Sequence, residues 1–314
     1  MADKTLLLVV PVTWAGLWTT PLAEIAPELN LRVEGRDAYE RGEVDYVFTF
    51  RPPHGFLKTL PSARLVFSVG AGVDGILSDP EYPKKVPLVR FVDRTLSGEM
   101  AQFCVMHVLM HYRMQRFFDR AQAERKWRQA LLPKRAKETR IGILGLGEIG
   151  TLAAERLRDF EFDVAGWSRT HKDVPGVRSY AGQEELGAFL ERSDILICLL
   201  PLTTDTRGIL NAKLFAQLPK GAYVINVARG GHLVDEDLIA AIDSGHLSGA
   251  TLDVFHTEPL PESHPFWTHP KITVTPHIAA ISEPRVAAQY VVDGIRRFER
   301  GEPVGNIVDP NRGY

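Results

Sequence analysis

The chain has 314 residues, 45% of them hydrophobic and 24% charged, with a net charge of −2. That length accommodates two domains with sizeable cores, and the composition is that of an ordinary globular protein. The near-neutral charge, with no local cluster of Lys and Arg, argues against a nucleic-acid surface. The two cysteines, Cys104 and Cys198, sit in apolar segments without metal-ligand spacing, which points to reduced core thiols in a cytoplasmic protein with no bound metal and no disulfide framework.

The apolar run at 6–10 is ended by Pro11 and is too short for a signal segment or a membrane span. Runs at 4–10, 31–33, 46–50, 65–69 and 88–92 are expected to be short buried strands separated by helical or turn-rich pieces, an alternating α/β pattern. Residues 97–128 are expected to be helical throughout, because Met100, Phe103, Cys104, His107, Val108, Met110 and His111 recur at helical spacing. A helix apolar on several faces needs something to bury against, either the other domain or a second subunit. Lys134, Arg135 and Lys137 make a short basic turn, read as a solvated loop. No internal repeat or low-complexity segment is visible.

Gly145, Leu146, Gly147, Glu148, Ile149 and Gly150 follow the apolar stretch 139–144 and precede a helix-like segment at 151–160. The order is strand, glycine turn, helix. The first glycine allows the tight turn, the second lets backbone N–H groups approach a pyrophosphate, and the third lets the helix pack closely on the strand with its N-terminus facing the anion. A methyltransferase nucleotide loop or a chance glycine-rich turn is the alternative. The next strand, 163–169, ends where a carboxylate would normally accept the ribose 2′-hydroxyl of NAD, and here the position holds Ser168. Ser168 with Arg169, and Lys172 beyond them, offers a hydroxyl and positive charge to a 2′-phosphate, so the expected cofactor is NADP(H). The alternative for Arg169 is a solvated loop residue.

The alternation continues. The run 193–201 is a strand that brings Pro201 and Thr203 to the carboxyl edge, where ligands bind in open α/β sheets. A strand at 222–231 ends in Arg229 and two glycines, a helix at 235–244 is closed by Gly245, a strand at 249–255 is followed by Glu258, and a strand at 271–277 ends in His277. Three successive strand ends therefore present Arg229, Glu258 and His277 at one edge. These residue types suit reduction of a 2-keto acid. An arginine fork holds a carboxylate and polarises the adjacent carbonyl, a histidine donates the proton, and a glutamate on the other imidazole nitrogen fixes the tautomer and raises the histidine pKa. Individually, Arg229 could be a surface turn, Glu258 a loop carboxylate and His277 a strand cap.

Together with Gly70, Ala71, Gly72, Val73 and Asp74, the glycine run, the stretch Leu200 to Thr203, Asn226 to Gly230, Leu252 to Phe255 with Glu258 and Pro259, and Thr275 to His277, the chain resembles the D-isomer-specific 2-hydroxyacid dehydrogenases over essentially its whole length. Trp167, Ser168 and Arg169, the stretch Leu252 to Phe255, Pro265, Phe266 and Trp267, and the ending Arg312, Gly313 and Tyr314 look like the glyoxylate/hydroxypyruvate reductase A subgroup of bacteria.

The resemblance implies two Rossmann-like doubly wound α/β domains of parallel sheet with the active site in an interdomain cleft. The substrate domain would be 1–97 with 282–314 and the NADP-binding domain 98–281. Arg229 would bind substrate, Glu258 orient, and His277 donate the proton. The amides of Ala71 and Gly72 would hold the substrate carboxylate. Leu200, Pro201, Val227, Ala228, Asp253, His277 and Ala279 would line the cofactor, with Asp253 near the nicotinamide. Trp267 or Trp14 would wall the substrate side, favouring the small acids glyoxylate and hydroxypyruvate, and the helical stretch 97–128 would form a homodimer. His232 receives no role beyond a local helix-entry residue. The competing readings are a non-catalytic NADP-binding sensor or scaffold, a dehydrogenase of the same family acting on a larger keto acid, and a phosphoglycerate or formate dehydrogenase.

Overall fold

The computed structural model describes residues 4–309, so the expected family ending at Arg312, Gly313 and Tyr314 lies outside the described residues. The chain forms two compact units, one from residues up to Leu96 together with those from Ile281 onward, the other Ser97–Ala280.

In the first unit, apolar runs rich in Leu, Val and Phe form β1 (Thr5–Val9), β2 (Asn30–Val33), β3 (Val44–Thr49), β4 (Leu65–Ser68) and β5 (Leu88–Val89), with α1 (Ala15–Ile25) after β1 and the short α2 (Asp74–Leu77) after β4. All pairings are parallel, in the order β2-β1-β3-β4-β5. Strands β1 and β4 are buried along their whole length, as expected of a parallel sheet covered on both faces. The C-terminal helix Pro284–Glu299 packs on α1. The fifth strand covers only Leu88 and Val89 of the run expected at 88–92.

The stretch expected as one helix over 97–128 is two. Helix α3 (Arg94–Tyr112) ends before Met114, whose φ of 58° places it in the left-handed region, and α4 (Gln115–Ala123) begins after it. Residues beyond α4 are irregular, with Arg125 again at positive φ. Neither Gly nor Pro marks the break. Much of the apolar periodicity of α3 faces its own unit: Ala101, Phe103, Cys104 and Val108 lie in one cluster with Ile141, Ile143, Ile195, Ile197 and Ile225.

The second sheet comprises β6 (Arg140–Leu144), β7 (Asp163–Ser168), β8 (Arg178–Ala181), β9 (Ile195–Cys198), β10 (Ala222–Asn226), β11 (Leu247–Leu252) and β12 (Ile272–Val274), parallel in the order β12-β11-β10-β9-β6-β7-β8. Helices α5 (Glu148–Asp159), α6 (Gly182–Glu191), α7 (Ala212–Phe215) and α8 (Asp235–Asp243) alternate with these strands. Successive strands are added on one side of β6 as β7 and β8 and then on the other as β9 to β12, so the strand order reverses at β6, the switch point at which ligands bind in such sheets. A second cluster, including Leu144, Leu196, Cys198, Val224, Leu238 and Leu252, completes the core. Cys104 and Cys198 are both buried free thiols, and burial pushes each of them up to about 12.

Candidate active site

Helix α5 starts at Glu148, earlier than the segment 151–160 expected, so the glycine turn feeds directly into its first turn. Gly145 has φ of 106°, and a Cβ there would meet the Leu199 carbonyl oxygen at 2.8 Å. At Gly150 a Cβ would lie 1.8 Å from the Gly145 carbonyl oxygen, which is the close helix-to-strand approach that only glycine permits. Gly147 is exposed, with open space where its Cβ would be. The three glycines thus leave room for an anion at the N-terminal amides of a helix twelve residues long. Leu146 is buried, its side chain lying over Gly166, so only its backbone is available to a ligand, while Glu148 is exposed and Ile149 half-buried.

Strand β7 delivers Ser168 to the same edge. Its hydroxyl donates to the Thr170 carbonyl oxygen at 2.7 Å, shaping an exposed turn that carries Arg169 and Lys172, the latter held by its backbone N–H on Ser179 Oγ at 2.8 Å. No carboxylate occupies the strand end, and the exposed cations of the turn that Ser168 shapes fit a 2′-phosphate.

The register of the three adjacent strands explains how the remaining groups meet. Asn226, Leu252 and Val274 are paired across β10, β11 and β12. Arg229 follows three residues after the first, Asp253 directly after the second and His277 three residues after the third. Val227 and Ala228 are buried between β10 and Arg229, whose half-buried side chain donates from Nη1 to the Ala228 carbonyl oxygen at 2.6 Å. The turn is fixed by Asn226 Nδ2 donating to Arg229 O at 3.0 Å. His232, expected to be only a helix-entry residue, is fully buried, with Nδ1 at 3.1 Å from Arg229 O and Nε2 at 3.3 Å from Pro201 O. It ties the Arg229 turn to the end of β9, where Leu200 is buried and Pro201 half-buried. Sequence alone carries no signal for this, since both partners are backbone carbonyls.

Glu258 lies on the loop after β11. One carboxylate oxygen accepts the Phe255 N–H at 3.0 Å and the other is 2.9 Å from His277 Nδ1. The side chains of His277 and Glu258 are 33% and 18% exposed. This places the proton of a neutral His277 on Nδ1, toward the carboxylate, and turns Nε2 outward. His277 sits at φ 54°, a left-handed conformation that costs a β-carbon residue free energy and is held by its N–H donating to Asp253 O at 2.8 Å. Asp253, expected beside the nicotinamide, is fully buried, and its carboxylate is engaged by Thr275, Ile278 and Ala279 of the His277 loop.

Trp267 is 50% exposed on a short 3-10 turn, with Nε1 donating to Pro261 O at 3.0 Å. Ala71 and Gly72 belong to the first unit, in the loop between β4 and α2, Ala71 half-buried and Gly72 exposed. Among the described residues no cluster of three or more His, Cys, Asp or Glu could hold a metal ion, and no helix is long and apolar enough to cross a membrane.

Residues 105–279 match the NAD-binding domain of the D-isomer-specific 2-hydroxyacid dehydrogenases. The glyoxylate/hydroxypyruvate reductase A of Yersinia enterocolitica is 44% identical over 313 residues, 97% of this chain and 98% of that protein. A D-isomer-specific 2-hydroxyacid dehydrogenase from Xanthobacter autotrophicus, solved with NADPH and MES, is 44% identical with a TM-score of 0.94, covering 100% of both chains. The NADPH-dependent glyoxylate/hydroxypyruvate reductase of Sinorhizobium meliloti, solved with NADP and sulfate, is 38% identical with a TM-score of 0.92, covering 99% of this chain and 100% of that one. The chain belongs to the D-isomer-specific 2-hydroxyacid dehydrogenase family, on the branch of the glyoxylate/hydroxypyruvate reductase A proteins.

Proposed function

We propose that the protein reduces small 2-keto acids, glyoxylate and hydroxypyruvate, to the 2-hydroxy acids glycolate and D-glycerate with NADPH. The observation that carries this reading is the His277 Nδ1 to Glu258 contact at 2.9 Å, set three residues past β12 while Arg229 stands three residues past β10, the two strands flanking β11. The unit Ser97–Ala280 is the cofactor-binding domain in this proposal. The glycine turn and the N-terminal amides of α5 take the pyrophosphate, and Ser168, Arg169 and Lys172 take the 2′-phosphate. When bound, the reduced nicotinamide supplies the hydride.

The chain's own groups do the rest. Arg229 binds the substrate carboxylate as a fork and withdraws electron density from the neighbouring carbonyl. The imidazolium form of His277 donates a proton from Nε2 to the carbonyl oxygen as it gains charge, and Glu258 holds the opposite nitrogen so that the ring keeps one orientation. Trp267 limits the size of the 2-substituent. A homodimer working in the cytoplasm completes the proposal. Its support is the irregular stretch after α4, where Trp127 and Leu131 are 92% and 94% exposed, together with free thiols in the core.

Initial rates of NADPH and NADH oxidation with glyoxylate, hydroxypyruvate, pyruvate and phenylpyruvate test the reading. Turnover of the two small acids with NADPH, and poor turnover of phenylpyruvate, is the expected pattern. Comparable rates on phenylpyruvate would remove the size limit, and no turnover of any of the four would remove the reductase reading.

A further inference from the structure

The turn after β10 and the loop after β11 carry two of the assigned groups, Arg229 and Glu258. Their backbones are pressed together at Gly230, where a Cβ would lie 1.9 Å from the Phe255 carbonyl carbon. A second link joins them a few residues away. Asp235, the first residue of α8, directs its carboxylate at two imidazoles of the β11 loop, with Oδ1 3.6 Å from His256 Nε2 and Oδ2 3.4 Å from His264 Nε2. The local backbone sets both rings. His256 Nε2 is 2.8 Å from the Leu233 carbonyl oxygen, which can only accept, so this nitrogen carries the proton. His264 Nδ1 receives the Phe266 N–H at 3.4 Å, which leaves the proton of the neutral ring on Nε2, facing Asp235. The side chains of Asp235 and His264 are 20% and 22% exposed. Burial raises the Asp235 carboxyl and Glu236 adds to this, while His256 and His264 pull it back. The two histidines bracket the segment that contains Glu258, so a single carboxylate reaches both ends of the loop.

We propose that Asp235, through His264 at the far end of the loop while the Leu233 carbonyl holds His256 at the near end, is a positioning residue that clamps the Glu258 loop to the Arg229 turn and so keeps Glu258 on His277. The inference rests on the reductase reading for its kinetic consequence but not for its structural one. The clamp acts on the orientation of the proton donor, so its loss lowers kcat and leaves the phosphate-binding parts of the cofactor site, built from the ends of β6 and β7, untouched.

The test is Asp235→Ala, with His264→Gln breaking the same link from the loop side without touching α8. With NADPH and glyoxylate, each variant should lose about tenfold to a hundredfold in kcat, the scale of a misplaced catalytic group, while KM for NADPH stays at the wild-type value. Combined with Glu258→Gln, Asp235→Ala should cost nothing further, because the group it positions is gone; two independent lesions would multiply. Hydrogen–deuterium exchange should rise over residues 255–264 and remain unchanged in β6. Multiplying losses in the Glu258→Gln background, or wild-type kcat and exchange in both single variants, would overturn the clamp. A wild type that reduces no keto acid would overturn the reductase reading instead, and exchange over 255–264 in Asp235→Ala and His264→Gln then decides the clamp alone.

Discussion

The carboxylate of Asp253 accepts the backbone N–H of Ala279 at 2.9 Å, and the same side chain takes the Thr275 hydroxyl at 2.6 Å and the Ile278 N–H at 3.0 Å. One buried acid at the end of β11 therefore shapes the loop on which His277 holds its left-handed backbone. Asp253→Ala leaves the buried Ala279 N–H without an acceptor, at about 1–3 kcal/mol, and releases the part-buried Thr275 hydroxyl and Ile278 N–H. The variant should unfold at lower denaturant and lose kcat together. Urea titration alongside steady-state kinetics checks this, and unchanged stability would show that the loop is held by other contacts.

Cofactor choice is expected to follow the end of β7. Removing a charge-assisted contact costs about 1.5–3 kcal/mol, so Arg169→Ala should weaken NADPH by that amount and NADH far less. Binding of the two cofactors, followed by quenching of protein fluorescence, measures the difference, and equal weakening would mean that Arg169 does not read the phosphate.

Acid stability should reflect two histidines on α3. Burial lowers both His107 and His111 from 6.5 to about 4. Each is neutral when folded and protonated when unfolded between those values, so the unfolded chain binds more protons there and stability rises with pH across that window. Their contribution is whole above pH 6.5 and drains away as pH falls toward 4. A tenfold change in proton affinity is worth about 1.4 kcal/mol, which puts the acid-labile part of the buried His107 on the order of 3 kcal/mol. Asp194 behaves differently: burial works against its ionisation, but hydrogen bonds from Arg140 and Lys134 outweigh this and hold the carboxyl low, so its loss comes only at more acidic pH. Urea unfolding at pH 7.5 and 5.0 should therefore show a large drop in the wild type and a smaller one in His107→Gln. An equal drop in both would exclude His107 as a source.

What could be read in advance was what depends on local sterics and period. The glycine turn was legible because Gly145 and Gly150 are required by the backbone itself, and the strand ends that present Arg229 and His277 were legible because parallel strands are short and apolar. The break at Met114 was not legible, because a residue with a β-carbon takes positive φ there and neither Gly nor Pro announces it. Contacts made across the fold were equally hidden. The contact of His232 with the Pro201 carbonyl, the engagement of Asp253 with Thr275 and Ala279, and the approach of His256 and His264 to Asp235 all join residues that sequence spacing does not relate.

The most direct test of the central claim is the kcat of His277→Ala against the wild type, with saturating NADPH and glyoxylate. Loss of a general acid should lower kcat by about 10²–10⁴-fold while NADPH binding is preserved. A His277→Ala enzyme that keeps near wild-type kcat would contradict the assignment of His277 as the proton donor.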